Sequence, residues 1–345
     1  MKKEVITKIA KETILAIQKI DLSQLDISTY DKEYFNYLLS HIHYRFEIYT
    51  DAIIRLLPEK DASDYIIPDA EGFDYFVDFG GGEGFLSIFL KRLGLNVIYC
   101  DICPTSVNAI GVLKNEIGYG PDFMLEGSSP ELLSFCKSKG LCPKYLIATD
   151  LIEHVYDLNA LFVDFHVMNP GISMVFTTGS VKTNFLKCRK LRKIMLDEEK
   201  NLYIPVRRQF LQEKYPATAS SEIEVLAKST RGLIFSDMIK YVDIYLKTNT
   251  LPVIDIDRYN TCDPETGNWS ERILSRKKYR KILGNHQFQV KFENGYYNVH
   301  KNHPVILFIV KTVNFFIRHF RLSGSIITPF IFLTVKKTTN KSDNK

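Results

Sequence analysis

The sequence predicts an α/β protein built on a doubly wound, largely parallel sheet, with helices ahead of the sheet and a large, mainly helical insertion after the fifth strand. Three observations point there. Tyr75-Phe76-Val77-Asp78-Phe79 is a strand-like run that breaks into Gly80-Gly81-Gly82-Glu83-Gly84 and resumes at helical spacing through Leu86, Ile88, Phe89 and Leu90. Further short apolar runs follow, two of them closing on an acid, Asp101 and Asp150. The strand rhythm then stops from Gly179 to about Leu283 and returns toward the end of the chain.

Size and composition bound the rest. At 345 residues the chain exceeds one ordinary core. The expected organisation is a helical cover over 1–60, a ligand-binding core over 61–179, an acceptor-binding insertion or lid over 180–282, the end of the core sheet with an amphipathic helix over 283–336, and a disordered tail over 337–345. The 45% hydrophobic and 25% charged fractions are those of a globular protein, and a net charge of +5 permits anionic partners without requiring them. Of six scattered cysteines, Cys100-x-x-Cys103 is the only close pair. With no second pair to complete a tetrahedral site, it reads as two reduced thiols rather than a metal centre. No signal peptide is read at the start, so a cytoplasmic location is expected.

In chain order, Val5, Ile6, Ile9, Ile14, Ile17 and Ile20 mark an amphipathic helix over 2–20. Phe35, Leu38, Leu39, Ile42, Phe46, Ile53 and Ile54 mark a second from Asp31 to Leu57, stopped by Pro58. At the glycine turn, a dinucleotide-binding fold wants Gly-x-Gly-x-x-Gly. Counted from Gly80, its third glycine would be Phe85, which is bulky; a nicotinamide oxidoreductase would have to tolerate that. The chain offers Gly80-x-Gly82-x-Gly84, with Asp78 two residues ahead, a carboxylate better suited to an ammonium and a sulfonium than to two phosphates. This segment resembles the first motif of class I S-adenosylmethionine-dependent methyltransferases.

That resemblance implies a Rossmann-like sheet with an antiparallel last strand, and S-adenosyl-L-methionine as cofactor with S-adenosyl-L-homocysteine as product. Asp78, Gly80, Gly82 and Gly84 then belong to the cofactor site. Asp101, ending the second strand Asn96–Asp101, is placed to accept both ribose hydroxyls, with Ile102 beside it. Ser128, after the third strand, sits where relatives contact the adenine; Ser129 capping a helix that begins at Pro130 explains the same residues. Arg45 lies about where relatives hold the cofactor carboxylate. The fourth strand ends at Asp150 and Leu151, further cofactor candidates, and runs into Ile152-Glu153-His154, which resembles the branch containing ubiquinone-pathway O-methyltransferases. Asn169-Pro170-Gly171 and Ile172 to Thr177 match the family's Pro-Gly turn and fifth strand. Leu283–Val290 resembles the family's entry to its sixth strand and Thr328–Val335 its last strand. The likeness covers residues 72–178 well and 283–335 loosely.

For an oxygen acceptor, His154 is the expected general base; a histidine that only braces its loop is the competing reading. Asp150, Glu153 and His154 also resemble the Glu-x-x-Glu-His set of metal-assisted small-RNA 3′-terminal 2′-O-methyltransferases, a lesser alternative. A non-catalytic S-adenosylmethionine-binding scaffold is another. In the insertion, Ser236 is a candidate cap for a helix carrying Met238, Ile239, Val242 and Leu246. The basic clusters 187–193 and 276–281 read as solvated faces more than nucleic-acid sites. Trp269, the only tryptophan, stands among turn formers with Arg272 nearby. Stacking on a planar acceptor competes there with a turn pinned by a buried ring. Pro304 to Phe320 is interrupted by Lys311 and Arg318, too short and charged to span a bilayer. It is expected to pack on the protein body or, less commonly, to contact a membrane surface or a greasy acceptor. The acceptor expected is a small molecule, saccharide or lipid-linked group rather than nucleic acid.

Overall fold

The computed structural model describes residues 2–57, 75–300 and 303–338. Among these, one sheet has the order β3-β2-β1-β4-β5-β7-β6. Its strands are β1 (Tyr75–Phe79), β2 (Asn96–Asp101), β3 (Phe123–Glu126), β4 (Tyr145–Thr149), β5 (Ser173–Thr178), β6 (Phe288–Asn294) and β7 (Ile331–Lys337). β1 to β5 pair in parallel, and β7 runs antiparallel to both β5 and β6. Phe79 lies opposite Cys100 and Thr149 opposite Thr177, so the strand exits share one edge. In such a sheet that edge, where the order reverses, is where ligands bind.

Ahead of the sheet lie α1 (Lys3–Gln18), α2 (Thr29–Leu39) and α3 (Ile42–Leu56). Between its strands come α4 (Phe85–Arg92), α5 (Pro104–Ile117), α6 (Ser129–Lys139) and α7 (Leu158–Met168). The insertion contains α8 (Phe185–Glu198), a π segment Glu199–Tyr203, α9 (Ile204–Lys214), α10 (Ser220–Ser229), α11 (Phe235–Thr248) and α12 (Arg276–Asn285). After β6 come α13 (Pro304–His319) and α14 (Arg321–Ile327).

The sheet is covered on both faces, which explains why its strands read as continuous apolar runs. Phe76, Val97, Ile147 and Val175 join the core formed with α1–α5. Their neighbours Val77, Ile98, Leu146 and Met174 join the opposite core with α6, α7 and α12. The insertion has its own small cores, one around Leu211, Leu226, Met238 and Val242 and one around Leu191, Met195 and Ile273.

Several boundaries differ from the sequence reading. The helix expected over 31–57 is two helices, broken at Ser40-His41, and α2 starts early because the Ser28 hydroxyl accepts the Asp31 amide at 3.0 Å. Pro58 lies outside the described residues. Ser128, not Ser129, precedes α6; Ser129 is buried and donates to Asp164 at 2.6 Å. α11 begins at Phe235 after Ile234, so Ser236 is within its first turn and is not the cap. β7 continues through Lys337, and Thr338 still donates to Gln287 at 2.8 Å, beyond where the tail was expected to begin. The remainder of that tail lies outside the described residues.

Candidate active site

The glycine loop is held open by conformation and closed by contact. Gly84 has φ +74°, and a Cβ there would stand 2.2 Å from Ile110; at Gly80, φ +67°, it would press on Leu151 at 2.7 Å. Neither position accepts a side chain without displacing a neighbour. The direction a Gly82 side chain would take is open, so only its φ of +51° favours glycine. Asp101 anchors this loop from β2: Oδ2 accepts the Gly82 amide and Oδ1 the Cys103 amide, each at 2.9 Å. Each oxygen keeps a further lone pair for another donor. Ile102, the next residue, is 67% exposed, an apolar surface beside that acid. The Tyr99 hydroxyl donates to the Gly82 carbonyl from beneath.

Asp78 is turned inward. It is 2% exposed and accepts the Ser87 hydroxyl at 2.7 Å, so its carboxylate is turned under the start of α4. Burial pushes its pKa up to about 7 against the hydrogen bonds from Ser87. In this arrangement Asp78 fastens the helix that carries the loop. Phe85 is likewise interior, edge-on to Phe35 of α2 at 4.9 Å, where a dinucleotide turn would have a glycine.

Charged groups from two other elements face the loop. Arg45 of α3 hydrogen-bonds Tyr49 and lies within electrostatic reach of Asp150 and Tyr34; burial works against its charge, but these groups outweigh it and raise its pKa. Asp150 is exposed and has φ +52°, with its amide shared between the Thr177 carbonyl at 3.2 Å and hydroxyl at 3.1 Å. A non-glycine residue held in that region costs roughly 1–3 kcal/mol, and such outliers cluster at functional sites. Leu151 packs on Gly80 and joins the β1 and β4 exits. Ser128 is half-buried, and its amide and hydroxyl both donate to Glu131, each at 2.8 Å.

The loop after β4 is strapped by the insertion. The Trp269 amide donates to the His154 carbonyl at 3.1 Å and the Arg272 amide to the Glu153 carbonyl at 3.0 Å. His154 Nδ1 lies 2.7 Å from the Trp269 carbonyl. A carbonyl can only accept, so Nδ1 carries the proton and neutral His154 keeps its lone pair on Nε2. Trp269 is 1% exposed, stacked on Tyr156 at 5.8 Å and 14° and covered by the Arg272 guanidinium. Arg272 also donates to the Tyr156 carbonyl at 2.8 Å. Trp269 thus lacks the open face that stacking on an acceptor would need; it pins the insertion to the core, with the half-buried Arg272 laid over it.

Behind His154, Glu153 is 2% exposed; Oε1 accepts the Gly179 amide at 2.9 Å and Oε2 is buried without a partner. Burial, reinforced by the charge of Asp150, pushes its pKa up to about 8. Glu271 accepts the Ser180 hydroxyl, and Lys187, held below its ordinary range by burial, donates to the Pro329 carbonyl at 2.6 Å. Asp150, Glu153 and His154 point to different partners. Among the described residues no group of three or more His, Cys, Asp or Glu is placed to hold a metal ion.

Glu153 gives a pH prediction. Its folded pKa exceeds its ordinary 4.5, so between about 4.5 and about 8 the folded chain binds the extra proton. Stability present below that window is lost as pH rises through it, at about 1.4 kcal/mol per pH unit. Melting temperature should therefore fall from pH 5 to 8 more steeply in the native chain than in Glu153→Gln; parallel curves would remove Glu153 as the cause.

Tyr34, Tyr49, Tyr99, Glu83 and Thr177 stand around these groups without having been singled out in the sequence, and Lys187, read there as part of a solvated basic face, is half-buried beside them. Only Tyr49 left a local signal, standing four residues after Arg45 and so on the same helix face.

No protein-family model matches this sequence, and no curated protein is similar to it. Solved structures similar in fold include phosphoethanolamine N-methyltransferase 2 of Haemonchus contortus in complex with S-adenosyl-L-methionine. It is 12% identical over 85% of this chain and 53% of that one, with a TM-score of 0.41, so this chain spans about half its length. A SAM-dependent methyltransferase from Archaeoglobus fulgidus is 12% identical over 88% of this chain and 99% of that one, TM-score 0.37. Magnesium protoporphyrin IX methyltransferase from Synechocystis PCC 6803, with bound SAH, is 11% identical over 80% and 79%, TM-score 0.36. At these identities and scores the likeness is one of outline and carries no activity, substrate or partner to this chain.

Proposed function

We propose that the chain is an S-adenosylmethionine-dependent methyltransferase that methylates an oxygen of a small-molecule, saccharide or lipid-linked acceptor. The observation that carries this reading is Asp101. Two loop amides align its carboxylate, each oxygen keeps a lone pair, and it stands beside a turn at Gly80 and Gly84 with no room for side chains. That arrangement suits a ribose with two vicinal hydroxyls lying against bare backbone. Ile102 offers an apolar surface for the attached base. Arg45 supplies a cation for a carboxylate and Asp150 an anion for an ammonium, as the two ends of an amino-acid moiety require.

When bound, the cofactor supplies a methyl carbon on a sulfonium, already activated for in-line displacement. The protein's task is to hold the acceptor atom in line, exclude water and remove its proton. His154 is assigned the last role: the Trp269 carbonyl fixes its tautomer and leaves Nε2 as the proton acceptor.

Calorimetry on cofactor-stripped protein should show single-site uptake of both S-adenosylmethionine and S-adenosylhomocysteine. Transfer of a labelled methyl group to a panel of hydroxylated acceptors should follow. Absence of uptake overturns the cofactor assignment. Uptake without transfer to any of them would favour the scaffold reading.

A further inference from the structure

We propose that α13 and α14 form a docking surface for an anionic lipid bilayer. α13 buries only Asn314 and Ile317 well, and it is held through Asn314, which accepts the Tyr297 amide at 2.7 Å and donates to the Tyr297 carbonyl at 2.8 Å. Its opposite face is apolar and uncovered: Phe308 is 72% exposed, and Val305, Ile309, Phe315 and Phe316 stand on the same side at about half exposure or more. A helix apolar on both its inner and outer faces ordinarily lies inside a protein or a membrane. This one is not long enough or apolar enough to cross a bilayer, a property shared by every helix among the described residues.

Charge selects the occupant. No aspartate or glutamate stands between Glu293 and Asp343, whereas Lys311, Arg318, Lys336 and Lys337 all do. Lys311 is exposed on one shoulder of the apolar face, where its stem can lie along it while its charge reaches a headgroup layer; Arg318, two turns on, is exposed too but holds its guanidinium over the Tyr296 ring. An apolar face rimmed by cations and free of acids is the pattern of a helix lying in an anionic interface. A second copy of the chain fits less well, because a two-fold contact would bring the same cations against each other.

The surface extends toward the insertion. The Thr183 hydroxyl donates to the Ser325 carbonyl at 2.8 Å and the Asn184 side-chain amide to the Thr328 carbonyl at 2.9 Å. Beside them Phe185 and Leu186 are also exposed. The segment that leaves β5 is thus tied to α14 and carries two further exposed apolar side chains.

The test is co-sedimentation of the full chain with vesicles of phosphatidylcholine alone and of phosphatidylcholine mixed with phosphatidylserine. We expect uptake by the mixed vesicles at least about tenfold above the neutral ones, falling with added salt. The double variant Phe308→Ser/Phe316→Ser should lose about tenfold or more of that partition. Lys311→Glu should lose about tenfold or more. Both should keep the native melting temperature; if the phenylalanine variant unfolds, the charge variant carries the test. Equal uptake by both vesicle types, no uptake by either, or a wild-type dimer that the phenylalanine changes dissociate would overturn the proposal. None of these readings depends on methyl transfer.

Discussion

His154→Asn is expected to reduce methyl transfer by about 10²- to 10⁴-fold, the usual contribution of a positioned general base, while leaving cofactor affinity within about twofold of native, well under 1 kcal/mol. Asparagine is chosen because its side-chain amide can present an N–H where Nδ1 now stands, 2.7 Å from the Trp269 carbonyl, so the strap between insertion and core survives. What it cannot present is a basic nitrogen at the Nε2 position. His154→Ala removes both functions. A base predicts that the two variants lose turnover alike and that added imidazole restores part of it to the alanine variant. A brace predicts that asparagine rescues turnover and imidazole does nothing. Near-native turnover in both would take His154 out of the reaction altogether.

The parts of this fold that could be read from the sequence are those whose signals are local. A strand buried on both faces announces itself, as Tyr75–Phe79 and Tyr145–Thr149 do, because nearly every residue is apolar whichever way it points, Asp78 and Thr149 standing near the strand exits. The break at Ser40-His41 was hidden because Leu38, Leu39 and Ile42 keep helical spacing across it. Within the site, the glycines and Asp101 were legible since turn geometry and strand ends fix them. The partner of Asp78 is not legible, because a strand period gives the face of a residue but not its partner, and Ser87 lies a turn and a loop away. Trp269 shows the same limit at longer range. Whether a lone ring stacks inward or outward depends on Tyr156 and Arg272, and Tyr156 is more than a hundred residues distant in the chain. For α13 the pattern was clear but its neighbours were not. Both faces read as apolar, and packing on the protein body was the commoner expectation, yet nothing among the described residues covers the outer one.

Asp101→Asn should weaken cofactor binding by about a hundredfold or more, counting two charge-assisted hydrogen bonds at about 1.5 kcal/mol each as the lower bound. The carboxylate now faces two donors from its own loop, Gly82 and Cys103, on separate oxygens. An amide has one oxygen and one N–H₂, so whichever way it turns, one loop amide meets another donor and loses its partner. The same change takes away the acceptor that a ribose hydroxyl would use on that side. A second substitution separates loop-holding from binding. Ser87→Ala removes the buried hydroxyl that Asp78 accepts at 2.7 Å, about 1–3 kcal/mol, so it loosens the helix that carries the loop without touching the carboxylate of Asp101. If Asp101 binds ribose, Asp101→Asn should raise the calorimetric Kd far more than Ser87→Ala does at a similar drop in melting temperature. If Asp101 only fastens the loop, the two variants should lose affinity in proportion to the stability they lose, and its place in the cofactor site would have to be given up.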